Sequence, residues 1–132
     1  MTDCIFCKIA KGEIPSHKVY ENENFFAFLD INPRNPGHCL VIPKKHYRWV
    51  WDVPNIGEYY KVVGNLANAI KKSMKTERVV SIVWGDEIPH AHVWLIPRFE
   101  NDNIGFPFGK ETLKAISQEE MKKIATKIKN SL

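Results

Sequence analysis

The feature that most constrains the fold is a single long amphipathic segment, residues 56–74, that separates two groups of β-type runs. Its apolar residues recur at three- and four-residue steps, which marks one face of a helix: Ile56, Tyr59, Tyr60, Val63, Leu66, Ala67, Ile70 and Met74. Three β-type runs precede it, at residues 17–20, 25–30 and 38–42, and two follow, in RVVSIVW and HAHVWLI. Because short turns join most of these runs, the order predicts an antiparallel α+β domain with a five-stranded sheet.

A short helix is predicted near each end of the chain. Residues 4–11 form the first, which stops at Gly12, where a left-handed conformation is wanted. The second begins after Ser117, whose spacing to Glu120 is that of a capping box, and its apolar residues are Met121, Ile124, Ala125, Ile128 and Leu132. We therefore expect one domain over residues 1–132, with a motif-bearing core at about 4–99 and a loop and helix over 100–132.

The charge and hydropathy patterns indicate the partners and the compartment. The net charge is +4, and the lysine-dense stretches at residues 71–75 and 122–129 fall on predicted helices, which favours solvated helix faces over a nucleic-acid surface. No apolar run reaches the roughly 18 residues that span a bilayer, and the first residues lack a signal-peptide pattern. We expect a cytoplasmic protein that does not bind a membrane.

The three cysteines argue against a disulfide framework, because their number is odd. Cys39 follows the apolar pattern of a buried strand and is interpreted as a small hydrophobic residue. Cys4 and Cys7 form a Cys-x-x-Cys pair, which in a reducing compartment binds a metal, acts as a redox pair or consists of two unpaired thiols. The residues alone leave these alternatives open.

The stretch PHAHVWLIP, at residues 89–97, brings two histidines into one short β-type run. Because side chains alternate along an extended strand, one face would carry His90, His92 and Trp94. The opposite face would carry Ala91, Val93 and Leu95 toward a core.

This stretch resembles the His-x-His-x-His motif of the histidine triad (HIT) family of nucleotide hydrolases and transferases. Two further stretches, CIFCKIAKGEIPSHKVYE and AFLDINPRNPGHCLVIPKKH, resemble the same family in order and spacing. The resemblance implies the HIT-like α+β fold: a five-stranded antiparallel sheet with one long helix, a short N-terminal helix and a C-terminal helix.

The resemblance also implies a catalytic set. The middle histidine of the motif, here His92, is expected to be the nucleophile that takes the nucleotidyl group and is then released by water. Such a role suits a neutral imidazole, because its ordinary pKa of about 6.5 leaves a free lone pair at pH 7. His38 and His90 are expected to orient it.

The nucleoside pocket of the family is apolar and includes one carboxylate that takes the ribose hydroxyls. By match of position the carboxylate is Asp30, and the apolar residues are Phe6, Ile9, Phe28 and Ile31. The resemblance further implies that His46 and His90 complete a structural zinc site with Cys4 and Cys7. Four protein ligands would leave no open position for water, so no catalytic role is assigned to the metal.

Two positions depart from the family pattern. Trp94 stands where the third histidine is expected, and an indole offers one N–H donor but cannot shuttle a proton. A nucleotidylyltransferase branch of the family has Gln there, so attack by the middle histidine can survive. Asp86 occupies a position where the family commonly has Gln, and a carboxylate facing a phosphate is repulsive unless it points away.

Three functional hypotheses follow. The leading one is a hydrolase or nucleotidyl transferase that acts at the α-phosphorus of a purine nucleotide, such as a nucleoside phosphoramidate or a dinucleoside polyphosphate, with Trp94 as a donor or packing residue. The second is a zinc-stabilised nucleotide-binding or interaction protein with weakened catalysis, and the third is nucleic-acid end processing, which only the charge and a distant family branch favour.

The resemblance implies a homodimer in which the long helix and the fourth strand meet their counterparts. The segment over residues 98–116 is long for a loop without a function, so we expect it beside the site. Its Phe106 and Phe108 would then shape the leaving-group side.

Overall fold

The computed structural model describes residues 3–104 and 113–132. The strands within them are β1 (Lys18–Glu21), β2 (Phe25–Leu29), β3 (Cys39–Pro43), β4 (Arg78–Ile82) and β5 (Val93–Arg98). The helices are α1 (Ile5–Ala10), α2 (Ile56–Met74) and α3 (Gln118–Asn130), with one turn of 3-10 helix at Val50–Asp52. The five described strands form one antiparallel sheet in the order β1-β2-β3-β5-β4, which confirms the predicted α+β class.

The long helix α2 begins and ends at the predicted residues, Ile56 and Met74. It ends because Lys75 adopts a left-handed conformation with φ 56°. The buried stripe lies slightly to one side of the predicted one, since Ile56 and Tyr60 are each 37% exposed. The stripe comprises Tyr59, Val62, Val63, Leu66, Ala69 and Ile70.

The two end helices form near the predicted positions, with the first running over Ile5–Ala10 within the predicted residues 4–11. Cys4 is the N-cap of α1, where its Sγ accepts a hydrogen bond from the Cys7 backbone N–H at 3.3 Å, and Gly12 beyond the helix has φ 80°. Ser117 caps α3 by accepting from the Glu120 N–H at 3.1 Å. Leu132, predicted on the apolar face of this helix, is 49% exposed, because α3 ends at Asn130 and Leu132 lies beyond it.

The sheet is covered on both faces, which explains why every residue of β2 and β3 is buried. Alternate residues of these strands, such as Ala27 and Val41, join a core beneath α2 and α3, which we call the helix face. The residues between them pack on the opposite side with α1, which we call the site face. That smaller cluster comprises Phe6, Ile9, Phe26, Phe28, Leu40 and Ile42.

Strand β5 begins at Val93, three residues later than the predicted run from His90. The cause is local: the Ala91 N–H donates to the Tyr47 carbonyl at 2.7 Å, outside the ladder between β3 and β5. The alternation of sides nevertheless persists. Ala91, Val93 and Leu95 lie in the helix-face core, whereas His92 and Trp94 line a cavity on the site face. His90, predicted on the same side as these two, precedes the strand and is not among the residues that line the cavity.

The segment over residues 98–116 is described only at its two ends. Asp102 accepts hydrogen bonds from Arg98 Nε at 2.8 Å and from Asn35 Nδ2 at 3.0 Å, and the Lys114 N–H donates to the Pro33 carbonyl at 2.7 Å. These bonds hold both ends against the loop before β3. Phe106 and Phe108 lie outside the described residues, so their expected place beside the site stays a prediction.

None of the helices within residues 3–104 and 113–132 combines the length and the apolar character needed to cross a membrane.

Candidate active site

A cavity of about 310 Å³ opens on the site face, between α1 and strands β2, β3 and β5. This volume lies within the range of small-molecule sites. All six residues predicted to bind the nucleotide line it: Phe6, Ile9, Phe28, Asp30, Ile31 and Trp94. His92 lines it as well, whereas Ile31 sits at the rim with 69% of its surface exposed.

The imidazole of His92 is held in one tautomer. Its Nδ1 donates to the backbone carbonyl of His90 at 2.8 Å, so Nδ1 carries the proton and Nε2 keeps a free lone pair. Burial lowers the pKa of His92, with the hydrogen bond to His90 acting in the opposite direction. A neutral, oriented imidazole on the wall of an apolar cavity is equipped for nucleophilic attack.

His90 acts on His92 through its backbone, because its own ring faces elsewhere. Its Nε2 donates to the Pro43 carbonyl at 2.8 Å, which leaves Nδ1 unprotonated and directed at Cys4 Sγ, 3.2 Å away. The second ring nitrogen thus contacts the end of β3. The Cys pair and His92 are linked through the His90 main chain and through the Phe6 ring, which packs edge-on against both His90 and His92.

The four predicted metal ligands, Cys4, Cys7, His46 and His90, converge, with their ligand atoms all within 4.8 Å of one another. Cys7 Sγ lies 3.4 Å from His46 Nδ1 and 3.5 Å from His90 Nδ1. Zinc bonds of about 2.3 Å to sulfur and 2.0–2.1 Å to nitrogen, at tetrahedral angles, place such ligands about 3.6 Å apart. The donor set and its spacing therefore fit a structural zinc ion.

The pKa of the Cys7 thiol helps to distinguish a metal site from a redox pair at Cys4 and Cys7. Burial raises the pKa of the Cys7 thiol to about 11, with a further contribution from neighbouring Cys4. A redox-active pair needs a thiolate of low pKa. A thiol in this environment becomes a good ligand when a cation offsets the cost of its charge, so the surroundings favour a metal over a redox function.

His38 lies beside Asp30, the carboxylate expected to take the ribose hydroxyls. Its Nδ1 accepts a hydrogen bond from the Arg34 backbone N–H at 3.1 Å, and its Nε2 lies 3.5 Å from Asp30 Oδ2. Burial lowers the pKa of His38 to about 3 and raises the pKa of Asp30. His38 also packs edge-on against Trp94, with ring centroids 5.1 Å apart, so it supports the Trp94 side of the cavity.

Several lining residues were not predicted: Ile5, Ile14, Pro15, Ser16, Asn32, Arg34, Leu40, Trp84, Glu87 and Ile88. Leu40 could have been found, because it alternates with Cys39 and Val41 on β3. Arg34, Trp84 and Glu87 lie in loops, where sequence periodicity carries no signal for side-chain direction. Asp86, expected near the phosphate, is exposed and outside the lining, whereas its neighbour Glu87 lines the cavity.

The chain belongs to the HIT family, since the HIT domain matches residues 11–101. An uncharacterised HIT-like protein of Methanocaldococcus jannaschii is 44% identical over 113 residues, covering 81% of this chain and 88% of the relative. Adenosine 5'-monophosphoramidase of Saccharomyces cerevisiae is 37% identical, covering 79% of this chain and 70% of its own. Adenylylsulfatase of Arabidopsis thaliana is also 37% identical, covering 76% of this chain and 54% of the relative.

Solved structures agree with this assignment and confirm the HIT-like fold. A HIT-like protein of Bartonella henselae superposes with a TM-score of 0.85 at 32% identity, covering 100% of this chain and 98% of that one. A zinc-bound histidine triad family protein of Mycobacterium smegmatis superposes with a TM-score of 0.82 at 25% identity, covering 98% and 93%.

Proposed function

We propose that the protein is a purine-nucleotide hydrolase or nucleotidyl transferase that acts at the α-phosphorus through a covalent nucleotidyl-histidine on His92. The observation that carries this proposal is the His92 imidazole, fixed by the His90 carbonyl at 2.8 Å with Nε2 free on the wall of the cavity. The relatives named as a monophosphoramidase and an adenylylsulfatase support a nucleotide substrate with varied leaving groups.

Different residues of the cavity bind different parts of the nucleotide. Phe6, Phe28 and Ile9 enclose the base, and Asp30 accepts hydrogen bonds from the ribose hydroxyls. Burial of an apolar base on aromatic walls positions the α-phosphorus near His92, which is the main catalytic contribution that binding makes. His38 supports this end through Asp30 and Trp94.

Intact mass spectrometry tests the proposal. The protein is mixed with adenosine 5'-monophosphoramidate or adenosine 5'-phosphosulfate, the reaction is quenched in the steady state, and the mass of the intact protein is measured. We expect an adenylyl adduct that is absent from His92→Ala and retained in His17→Ala, whose histidine bonds Gln118 on the surface. Nucleotide binding without adduct or turnover would instead favour the second candidate, a nucleotide-binding protein, which the tryptophan at the third triad position supports.

Cys4, Cys7, His46 and His90 would hold a zinc ion, which would supply structural cross-links without taking part in the reaction. The ion would tie the start of α1 to the segment after β3 and to His90, whose carbonyl orients His92. We expect about one zinc per chain in native mass spectrometry, lost in Cys4→Ser and kept in Cys39→Ala, because Cys39 lies outside the cluster. A stably folded wild type that binds no zinc would contradict this.

A second copy of the chain is the expected partner. Strand β4 is an edge of the sheet, and the segment before and within α2 exposes Trp51 at 67% and Tyr60 at 37%. Sedimentation equilibrium tests the homodimer, and Trp51→Ser with Tyr60→Ser should shift it toward monomer. An unchanged mass in that variant would place the interface elsewhere.

A further inference from the structure

The residue at the third triad position, Trp94, contacts two other side chains of the cavity. Its ring stacks on Trp84, with centroids 6.4 Å apart and planes 22° from parallel. The guanidinium carbon of Arg34 lies over the Trp94 ring, 4.7 Å from its centroid, within range of a cation–π interaction. All three residues line the cavity that His92 lines.

Arg34 is held at its backbone, and among the described residues its guanidinium makes one hydrogen bond and no ion pair. Its backbone N–H is bonded to His38, and its Nη1 donates to the Asn32 carbonyl at 3.2 Å. Its Nε is buried without a hydrogen-bond partner among the residues that the structure describes. Within residues 3–104 and 113–132, no carboxylate oxygen lies within 4.0 Å of an Arg34 nitrogen.

An arginine in this state is suited to bind an anion. Guanidinium groups offer a planar set of donors that matches phosphate and sulfate oxygens, and charge-assisted hydrogen bonds are about twice as strong as neutral ones. Two carboxylates also line the cavity, Asp30 at the nucleoside end and Glu87 in the loop before the triad. Neither neutralises Arg34 in an ion pair, so its charge remains for a ligand.

The indole of Trp94 cannot deliver a proton to a leaving group, whereas the arginine that it holds can stabilise negative charge. Building on the proposed function, we infer that Arg34, held over Trp94, is a specificity-determining residue that selects nucleotidyl donors whose leaving group is an oxyanion, such as sulfate or phosphate. Donors whose leaving group is an amine are disfavoured. Arg34 thus takes the leaving-group side of the site without replacing the lost acid.

The two substrate classes differ in their need for a proton. With adenosine 5'-phosphosulfate, the Nε2 lone pair of His92 forms a P–N bond, the P–O bond to sulfate breaks, and its electron pair leaves on sulfate without protonation. With the phosphoramidate, the pair of the breaking P–N bond stays on nitrogen, which must gain a proton to leave as ammonia. In both cases water then attacks phosphorus, the P–N pair returns to Nε2, and AMP and a proton are released.

The ratio of kcat/KM for adenosine 5'-phosphosulfate to that for adenosine 5'-monophosphoramidate tests the inference. We expect Arg34→Gln to lower kcat/KM for the phosphosulfate by about 10- to 100-fold, which corresponds to the loss of a charged hydrogen bond. The value for the phosphoramidate should change by less than about threefold. Arg78→Gln, the same change at the far end of β4, should leave both values unaltered.

Two Trp94 variants test whether the indole ring acts by holding the Arg34 guanidinium or only by filling space in the cavity wall. Trp94→Leu removes the aromatic face and should lower the phosphosulfate value, whereas Trp94→Phe should retain part of it, because phenylalanine is a weaker cation–π partner. Arg34→Lys should restore part of the phosphosulfate value. Thermal melting checks that each variant is folded.

The outcomes distinguish the inference from the proposed function. Equal losses for both substrates in Arg34→Gln, or a wild type that prefers the phosphoramidate, would overturn the inference while His92 adducts still supported the function. No adduct and no turnover with either substrate would overturn both.

Discussion

The two faces of the sheet differ in what they bury. The helix face packs Leu66 and Ile70 of α2 against apolar strand residues such as Val41. The site face carries the buried histidines His38 and His92 in or beside a cavity. One face is therefore a packed core, whereas the other combines an apolar floor with buried polar groups.

The comparison shows how one sheet serves both purposes. Successive residues of β3 and β5 point to opposite faces, so each strand contributes to packing and to the site in turn. Val93 and Leu95 are buried beneath the helices, whereas Trp94 between them lines the cavity. Core residues and cavity residues thus alternate along the same strand and do not come from separate regions of the chain.

The largest expected effect lies on the site face. His92→Ala should reduce kcat/KM by about a thousandfold or more, because it removes the proposed nucleophile. The variant should remain folded with a moderate loss of melting temperature, because the His92 side chain borders a cavity and is not packed on all sides. Steady-state kinetics and calorimetry measure the two effects, and residual activity above a hundredth of the wild type would contradict the assigned nucleophile.

A pair of matched leucine variants compares the faces directly. Leu66 is fully buried on the helix face, and Leu40 is 4% exposed on the site face, where it lines the cavity. Leu66→Ala should lower the free energy of unfolding by about 2–5 kcal/mol while the folded fraction keeps its KM. Leu40→Ala should lower the free energy of unfolding as well, and it should in addition raise KM, because it removes part of the cavity wall. Chemical denaturation and kinetics on both variants test this, and a raised KM in Leu66→Ala would remove the distinction.

We expect the buried His38 on the site face to make stability depend on pH. Burial lowers the pKa of His38 to about 3, while the unfolded chain binds this proton near pH 6.5. The unfolded state therefore binds more protons between these values, and stability falls as the pH drops below 6.5, by roughly 2–3 kcal/mol at pH 4.5.

The difference between the wild type and His38→Gln isolates this contribution. Denaturant melts from pH 7 to pH 4.5 should show a shallower loss of stability in the variant, which has no imidazole to protonate. Parallel curves for the two proteins would mean that His38 already accepts a proton in the folded state.

The smallest expected effect concerns the polar group of the helix-face core. The Tyr59 hydroxyl donates to the Val41 carbonyl at 2.7 Å, and burial raises the pKa of Tyr59 far above its ordinary value. Tyr59→Phe should cost about 1 kcal/mol of unfolding free energy and leave kcat/KM unchanged. Tyr60→Phe, on the more exposed neighbour, is the matched control and should cost less.

Much of the site could be predicted from sequence because it lies on regular elements or their caps. The alternation in PHAHVWLIP assigned His90, His92 and Trp94 to one side, and the last two line the cavity. The Cys-x-x-Cys pair by itself left a metal site, a redox pair and two unpaired thiols open, and only the family resemblance named the other two ligands. The segment joining β4 to β5 could not be predicted in this way: Glu87, and not Asp86, lines the cavity. A loop has no period that fixes which of two neighbouring side chains turns inward.

The sequence by itself determined the bounds of α2, the left-handed stop at Gly12 and the two faces of β5, because these follow from spacing along a few residues. Tertiary structure decided what meets across long separations: His90 reaches Cys4 and Cys7 from 86 and 83 positions away. It also laid Arg34 over Trp94, because the pairing of β3 with β5 sets Leu40 opposite Trp94 and brings the loop before β3 to the triad. Such contacts depend on strand order and register, which no local pattern specifies.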